Sequence, residues 1–205
     1  MKLLAKPFYV SAVDKQHIQQ NLITYIQNAR TEANNYNPGG AGGANVTANF
    51  GNLSAAQKAT LVANCDRMIQ ALENYTVGGK SCEREVQISE SSGAEMHSPS
   101  QVGAAYPYGV TDKNKHFTLR VYVGMKFRNA GRDDKYHLIV HELSHRILGT
   151  ADVENAVCGG VDGTKCYLRA NVTALAGASP DDALNNADSW AYFVDACNNL
   201  VTAIY

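Results

Sequence analysis

The chain has 205 residues, with 18 basic and 19 acidic side chains and a formal charge of −1. A balance so close to neutral excludes the broad positive footprint of a nucleic-acid binder and the polybasic patch of a membrane-surface protein. The length suits one domain able to bury a sizeable core, and no apolar run approaches the length of a membrane span.

The start, Met1-Lys2-Leu3-Leu4-Ala5-Lys6-Pro7, carries charge but no sustained apolar stretch and no small-residue cleavage site, so it does not read as a signal peptide. Either a leader has been removed or the protein is exported by a route that needs no classical signal; a cytoplasmic home is the alternative. Residues 12–36 have helical periodicity, with Ile18, Leu22, Ile23 and Ile26 on one face. Asn37-Pro38-Gly39-Gly40-Ala41-Gly42-Gly43 breaks that helix, and flexible polar sequence is expected to about Asn52. A second amphipathic helix is expected over 54–75, with Leu61, Met68, Ile69 and Leu72. The two helices should pair as an N-terminal hairpin. On this reading 1–80 is a helical scaffold packed on a catalytic part, 81–205, in one compact domain.

From Glu85 to Phe127 the pattern changes to strands and turns. Val86-Gln87-Ile88 is a short strand, and Phe117 to Val123 a stronger one, alternating and β-rich. It is expected to be an edge strand beside the helix that follows, offering backbone groups to an extended substrate. Tyr106-Pro107-Tyr108-Gly109 reads as a turn.

The next stretch carries the chemistry. Leu138, Ile139, Leu143, Ile147 and Leu148 recur at helical spacing; Asp133 or Asp134 can cap the start, and Gly149 can stop the end. On that helix His141 and His145 are four residues apart, so both imidazoles leave one face and can share a metal ion. Glu142 lies beside them, placed to act on a water held by that metal. Catalytic zinc usually takes three protein ligands, and Asp152, just past the turn at Gly149, is the nearest candidate for the third. His137 lies one turn earlier, but three histidines over eight residues span about 12 Å, too far for one ion. It is therefore expected behind the ligands or on the surface. The pattern implies one zinc ion and hydrolysis of a peptide bond in a protein or peptide substrate.

Five cysteines are present. Cys158 and Cys166 bracket a turn-rich stretch fit for a bridged hairpin over 153–166, Cys65 and Cys82 are a possible second pair, and Cys197 is expected to be buried and inert. A short helical patch is expected near 168–176. A last helix should run from Pro180 to about Ala203, burying a stripe of Trp190, Phe193, Val194, Cys197 and Val201 with Asp188 off that stripe. Four Asn-x-Ser/Thr sites, at Asn45, Asn52, Asn74 and Asn171, read as chance matches.

The ordered set His141-Glu142-Leu143-Ser144-His145, Gly149-Thr150-Ala151-Asp152 and Asn186-Ala187-Asp188-Ser189-Trp190-Ala191-Tyr192-Phe193 resembles the aspzincin metallopeptidases, which include deuterolysin and the lysine-specific metallo-endopeptidase group. The likeness covers roughly residues 85–200. It implies an α+β, zincin-like fold with a small twisted sheet above the metal helix. It also implies His141, His145 and Asp152 as zinc ligands and Glu142 as general base. In that family a tyrosine, usually followed by glycine, comes shortly after the aspartate and stabilises the oxyanion. Here Tyr167, followed by Leu168, is the first candidate and Tyr192 the second. Lysine-specific relatives take the substrate cation on acids matching Asp188 and a position one turn on, where this chain has Ala191. Two other function classes stay open at this stage: a zinc amidase acting on cell-wall peptides, and a zinc-binding module without catalysis. A secreted effector or toxin, paired with an inhibitor or immunity protein, is the expected setting.

Overall fold

The computed structural model describes residues 12–38, 40, 43–74, 76–77, 80–81, 86–90, 103–105, 119–123, 130–159 and 164–202. The N-terminal heptapeptide, Cys82, the turn at 106–109, Phe117, Thr118 and the middle of the 153–166 hairpin lie outside them.

Helix α1 (Ala12–Asn35) and helix α3 (Ala55–Asn74) pack together, as their periodicity requires. Leu22 and Ile26 of α1 and Leu61, Met68 and Leu72 of α3 are buried. A reciprocal cap starts α3: the Ser54 N–H donates to Gln57 Oε1 at 2.9 Å, and the Gln57 N–H to Ser54 Oγ at 3.3 Å.

The stretch expected to be flexible contains a helix instead, α2 (Ala44–Phe50). Its residues are weak helix formers, so burial supplies the stability that propensity does not. Val46 and Phe50, one turn apart, are fully buried, and the Phe50 ring meets Trp190 and Phe193 at centroid distances of 5.2 and 5.1 Å.

Two-residue strands β1 (Thr76–Val77) and β2 (Lys80–Ser81) form an antiparallel pair. Strands β3 (Val86–Glu90), β4 (Gly103–Ala105) and β5 (Leu119–Val123) are ordered β3-β5-β4, with β5 parallel to β3 and antiparallel to β4. Thus β5, expected at an edge, is the middle strand among the described residues. Its alternating pattern fixes a strand but not its neighbours, which sit far away in sequence.

Helix α4 (Arg132–Leu148) carries the two paired histidines and is buried on nearly every side from Tyr136 to Ile147. It packs against α7, α3, β4 and β5. Gly131, not an aspartate, takes the N-cap position; Asp134 in the first turn accepts from the Gly131 N–H at 3.2 Å, while Asp133 accepts from Val201 N–H. Gly149 ends the helix in the left-handed conformation (φ 78°, ψ 25°).

The expected last helix is broken in two. Helix α5 (Arg169–Ala178) is followed by α6 (Pro180–Asn185), and after Asn186 by α7 (Ala187–Cys197). Asn186 leaves helical geometry to form a parallel bridge with Ala151. Because α7 ends at Cys197, the helical phase does not reach Val201, which is exposed rather than on the buried stripe. Trp190, Phe193 and Val194 are buried as expected, Cys197 is only half-buried, and Cys65 is a buried free thiol rather than half of a bridge.

Two left-handed glycines should differ sharply in tolerance. At Gly149 an added Cβ meets nothing within 4 Å, whereas at Gly51 (φ 77°, ψ −164°) it would stand 2.1 Å from the Ala176 carbonyl oxygen. Gly149→Ala is expected to cost about 1 kcal/mol from backbone strain alone. Gly51→Ala should cost roughly 2–4 kcal/mol, adding displacement of the α5 backbone to that strain. Urea midpoints at constant slope measure both.

Candidate metal centre

On α4 the four-residue spacing brings the imidazoles of His141 and His145 together, with their Nε2 atoms 3.2 Å apart. The turn at Gly149 then reverses the chain and places Asp152 Oδ1 3.3 Å from His141 Nε2 and 3.2 Å from His145 Nε2. These are the only three such residues among those described whose ligand atoms gather within 4.8 Å of one another.

Which face each ring presents is set from behind. His141 Nδ1 is 2.7 Å from Asp188 Oδ1, and a carboxylate can only accept, so Nδ1 carries the hydrogen and Nε2 is left with its lone pair. His145 Nδ1 donates in the same way to the Thr150 carbonyl at 2.8 Å. The Thr150 hydroxyl is held at 2.7 Å by Ser144 Oγ, which donates to the His141 carbonyl. Three electron-pair donors therefore face one another, and Asp152 Oδ1 is buried with no aligned hydrogen-bond partner. Such a convergence repels itself unless a proton or a cation lies between. Burial alone would lower the His141 pKa, yet the carboxylates of Asp152 and Asp188 lift it well above its usual value. Burial likewise opposes ionisation of Asp152, but the two imidazoles hold its carboxyl far below the usual range. A divalent cation answers the same pull. Ligands of a tetrahedral zinc at about 2.0–2.1 Å stand about 3.3–3.4 Å apart, which matches the triangle of 3.2, 3.2 and 3.3 Å. The residues present thus fit a zinc ion.

Glu142 is buried beside this triangle, and burial raises its pKa against the lowering effect of the two histidines. Tyr167 stands close by, its ring centroid 6.2 Å from that of His141 and its hydroxyl bonded to Asp152. Burial and then the neighbouring Asp152 push the Tyr167 pKa upward, so its hydroxyl keeps its proton. Tyr192 lies elsewhere: it is buried with its ring against His137 at 4.5 Å and under the Arg169 guanidinium at 4.7 Å. Its pKa is pushed up to about 12 by burial.

Asp188 differs from the expectation of a substrate-binding acid. It has no exposed surface; Oδ1 serves His141 and Oδ2 accepts from the Leu168 N–H at 3.2 Å. Ala191, one turn on, is also fully buried. His137 is not on the surface either, having no exposure.

Sequence reasoning missed how the segment around Asp152 is fastened. Asn186, fully buried, accepts from Val153 N–H and donates to the Cys166 carbonyl, each at 3.2 Å. Ala151 bonds on both sides of the same break, its N–H to the Asn185 carbonyl and its carbonyl to the Ala187 N–H. Cys158 and Cys166 form the expected disulfide, and Lys165 reaches Asp152 Oδ2 at 3.3 Å. Leu168 adopts φ 71° and ψ 147°, a region natural to glycine, at the place where the resemblance leads one to expect glycine. The usable signal was the motif containing Asn186 and Asp188, which pairs buried polar residues with an apolar run.

A family model described as lysine-specific metallo-endopeptidase matches residues 35–195, well over half of the chain, and the chain belongs to this family, the aspzincin zinc metallopeptidases. Among solved structures it is similar to a zinc peptidase from Grifola frondosa, at 18% identity over 95% of this chain and 100% of that one, with a TM-score of 0.63; that likeness is one of fold. No curated protein matches the chain.

If Asp188 sets the His141 tautomer, Asp188→Asn should weaken zinc binding by about 10–100-fold with the fold intact, read by competition with a chromophoric chelator.

Proposed function

We propose that this protein is a zinc-dependent endopeptidase in which His141, His145 and Asp152 hold the ion and Glu142 is the general base. The observation that carries the reading is the triangle of Nε2, Nε2 and Oδ1 atoms, each edge the length that a tetrahedral zinc demands. Bound zinc supplies Lewis acidity, which acidifies a water and polarises the scissile carbonyl. Glu142 takes a proton from the attacking water and delivers it to the leaving amine, a task suited to a carboxylate whose pKa burial has raised above its ordinary value. The Tyr167 hydroxyl, kept protonated, donates to the oxygen on which negative charge develops. Lys165 adds positive charge at the rim through Asp152.

We place the helical region 1–80 as scaffold and 81–205 as the catalytic part. The setting we favour is an exported effector, produced together with an inhibitor protein that protects its maker. The Cys158–Cys166 disulfide supports export, because such bonds persist in oxidising surroundings.

Glu142→Gln should bind zinc as tightly as the parent yet hydrolyse casein at least 100-fold more slowly. Unchanged turnover would remove Glu142 from the chemistry. Tyr167→Phe should lower kcat about 10–100-fold with KM nearly constant, since its hydrogen bond to the oxygen tightens only in the transition state.

A further inference from the structure

Asp152 and Tyr167 reach the metal centre on two short stretches of chain that face each other. Glu154 and Lys165 pair across them as an antiparallel bridge, so Val153 stands opposite Cys166 and Asp152 opposite Tyr167. The Asn155 N–H donates to the Thr164 carbonyl at 3.1 Å, and the Cys166 N–H to the Val153 carbonyl at 2.8 Å. A hydrogen-bonded antiparallel pair exchanges two bonds, and the second here would run from the Val153 N–H to the Cys166 carbonyl. Both of those groups turn to Asn186 instead. Its Oδ1 accepts from the Val153 N–H and its Nδ2 donates to the Cys166 carbonyl, each at 3.2 Å. The side-chain amide thus takes the last rung of the ladder, one step short of Asp152 and Tyr167.

A carboxamide offers an acceptor and donors side by side, as a peptide group does, and so can stand in that gap. Asn186 has no exposed surface, and its Nδ2 also donates to Ser189 Oγ at 3.2 Å. The peptides on either side of it hold Ala151, whose N–H donates to the Asn185 carbonyl at 2.8 Å and whose carbonyl accepts from the Ala187 N–H at 3.0 Å. Asp152 is therefore flanked by two fastened neighbours, Ala151 through main chain and Val153 through the Asn186 amide. Joining the two stretches needs no such device, since a direct bond would do it without burying an amide. A ladder closed directly would carry Asp152 and Tyr167 on to the Cα separation of about 4.5 Å of the next pair, with their side chains close together.

We propose that Asn186 is a positioning residue, a spacer that sets the separation between Asp152 and Tyr167. Its Oδ1 fixes the stretch that carries the third ligand, and its Nδ2 fixes the stretch that carries the tyrosine. The inference rests on the metal and tyrosine readings above. The two ends of the amide have separate tasks, so they can be removed separately.

The test measures zinc affinity and turnover on the full chain. Asn186→Ala removes both ends; per folded molecule it is expected to bind zinc about 10-fold more weakly against a chelator and, once saturated with zinc, to show a kcat about 10-fold lower. Asn186→Asp keeps the acceptor for the Val153 N–H and loses the donor to the Cys166 carbonyl. It should stay within about threefold of the parental zinc affinity while kcat falls about 10-fold at nearly constant KM. A merely structural role would not split the two readouts. In a Tyr167→Phe background Asn186→Asp should add less than about a twofold loss in kcat, because the hydroxyl it helps to place is gone. Asn186→Ala carries the same cycle if Asn186→Asp does not fold. Parental zinc affinity in folded Asn186→Ala, a zinc affinity in Asn186→Asp as low as in Asn186→Ala, or a kcat loss that multiplies fully with Tyr167→Phe overturns the proposal while leaving the metal site standing. Parental kcat in Tyr167→Phe overturns the tyrosine reading and the spacer with it, and a parent chain that binds no zinc overturns the metal reading and this inference together.

Discussion

Everything in this molecule that bears on chemistry depends on two imidazole rings being obliged to show the same nitrogen to the same point. A free histidine exchanges its proton between Nδ1 and Nε2 and turns about two torsions. Here each Nδ1 is committed to an acceptor, Asp188 for His141 and the Thr150 carbonyl for His145, at 2.7 and 2.8 Å. That commitment turns two neighbouring side chains into two directed electron pairs. Asp152 then completes a triangle that repels itself in the absence of positive charge.

Such a tension needs a stiff frame, and the fold supplies it by burying the helix that bears the histidines. Helix α4 is enclosed by α3, α7 and strands β4 and β5, so its rings cannot relax by moving the backbone. Helix α7 does double duty. Its apolar side, with Trp190 and Phe193 against Phe50, anchors it in the core, while its polar side delivers Asp188 and Asp195 to the back of α4. The interruption at Asn186 belongs to the same economy of parts: leaving the helix there frees backbone groups that tie down Ala151, one residue before Asp152.

What could be read beforehand was what is local. The pairing of His141 with His145 follows from helical pitch, and the return of Asp152 from the stop at Gly149. The ends of α1 and α3 followed from periodicity to within a residue or two. What escaped was set across long stretches of chain. Asp188 was set off the apolar stripe of its helix and, through the resemblance, given to substrate binding, whereas its imidazole partner lies 47 positions earlier. Helix α2 has no propensity to announce it, and exists because Val46 and Phe50 find the core. The break at Asn186 carries no glycine or proline to mark it, and missing it put Val201 on the wrong side of a helix that had already ended. The place of β5 within its sheet was likewise beyond a pattern that records alternation but not neighbours.

The disulfide-closed segment has a consequence for how such proteins diverge. On one side of residues 160–163 the chain is pinned by Glu154 and Asn155, on the other by Thr164, Lys165 and the bridge from Cys166 to Cys158. With both ends held, the intervening stretch can lengthen at little entropic penalty, on the order of 0.6 kcal/mol for each doubling. Asp152 and Tyr167 keep their stations throughout. Variation in length between descendants of this chain should therefore accumulate there.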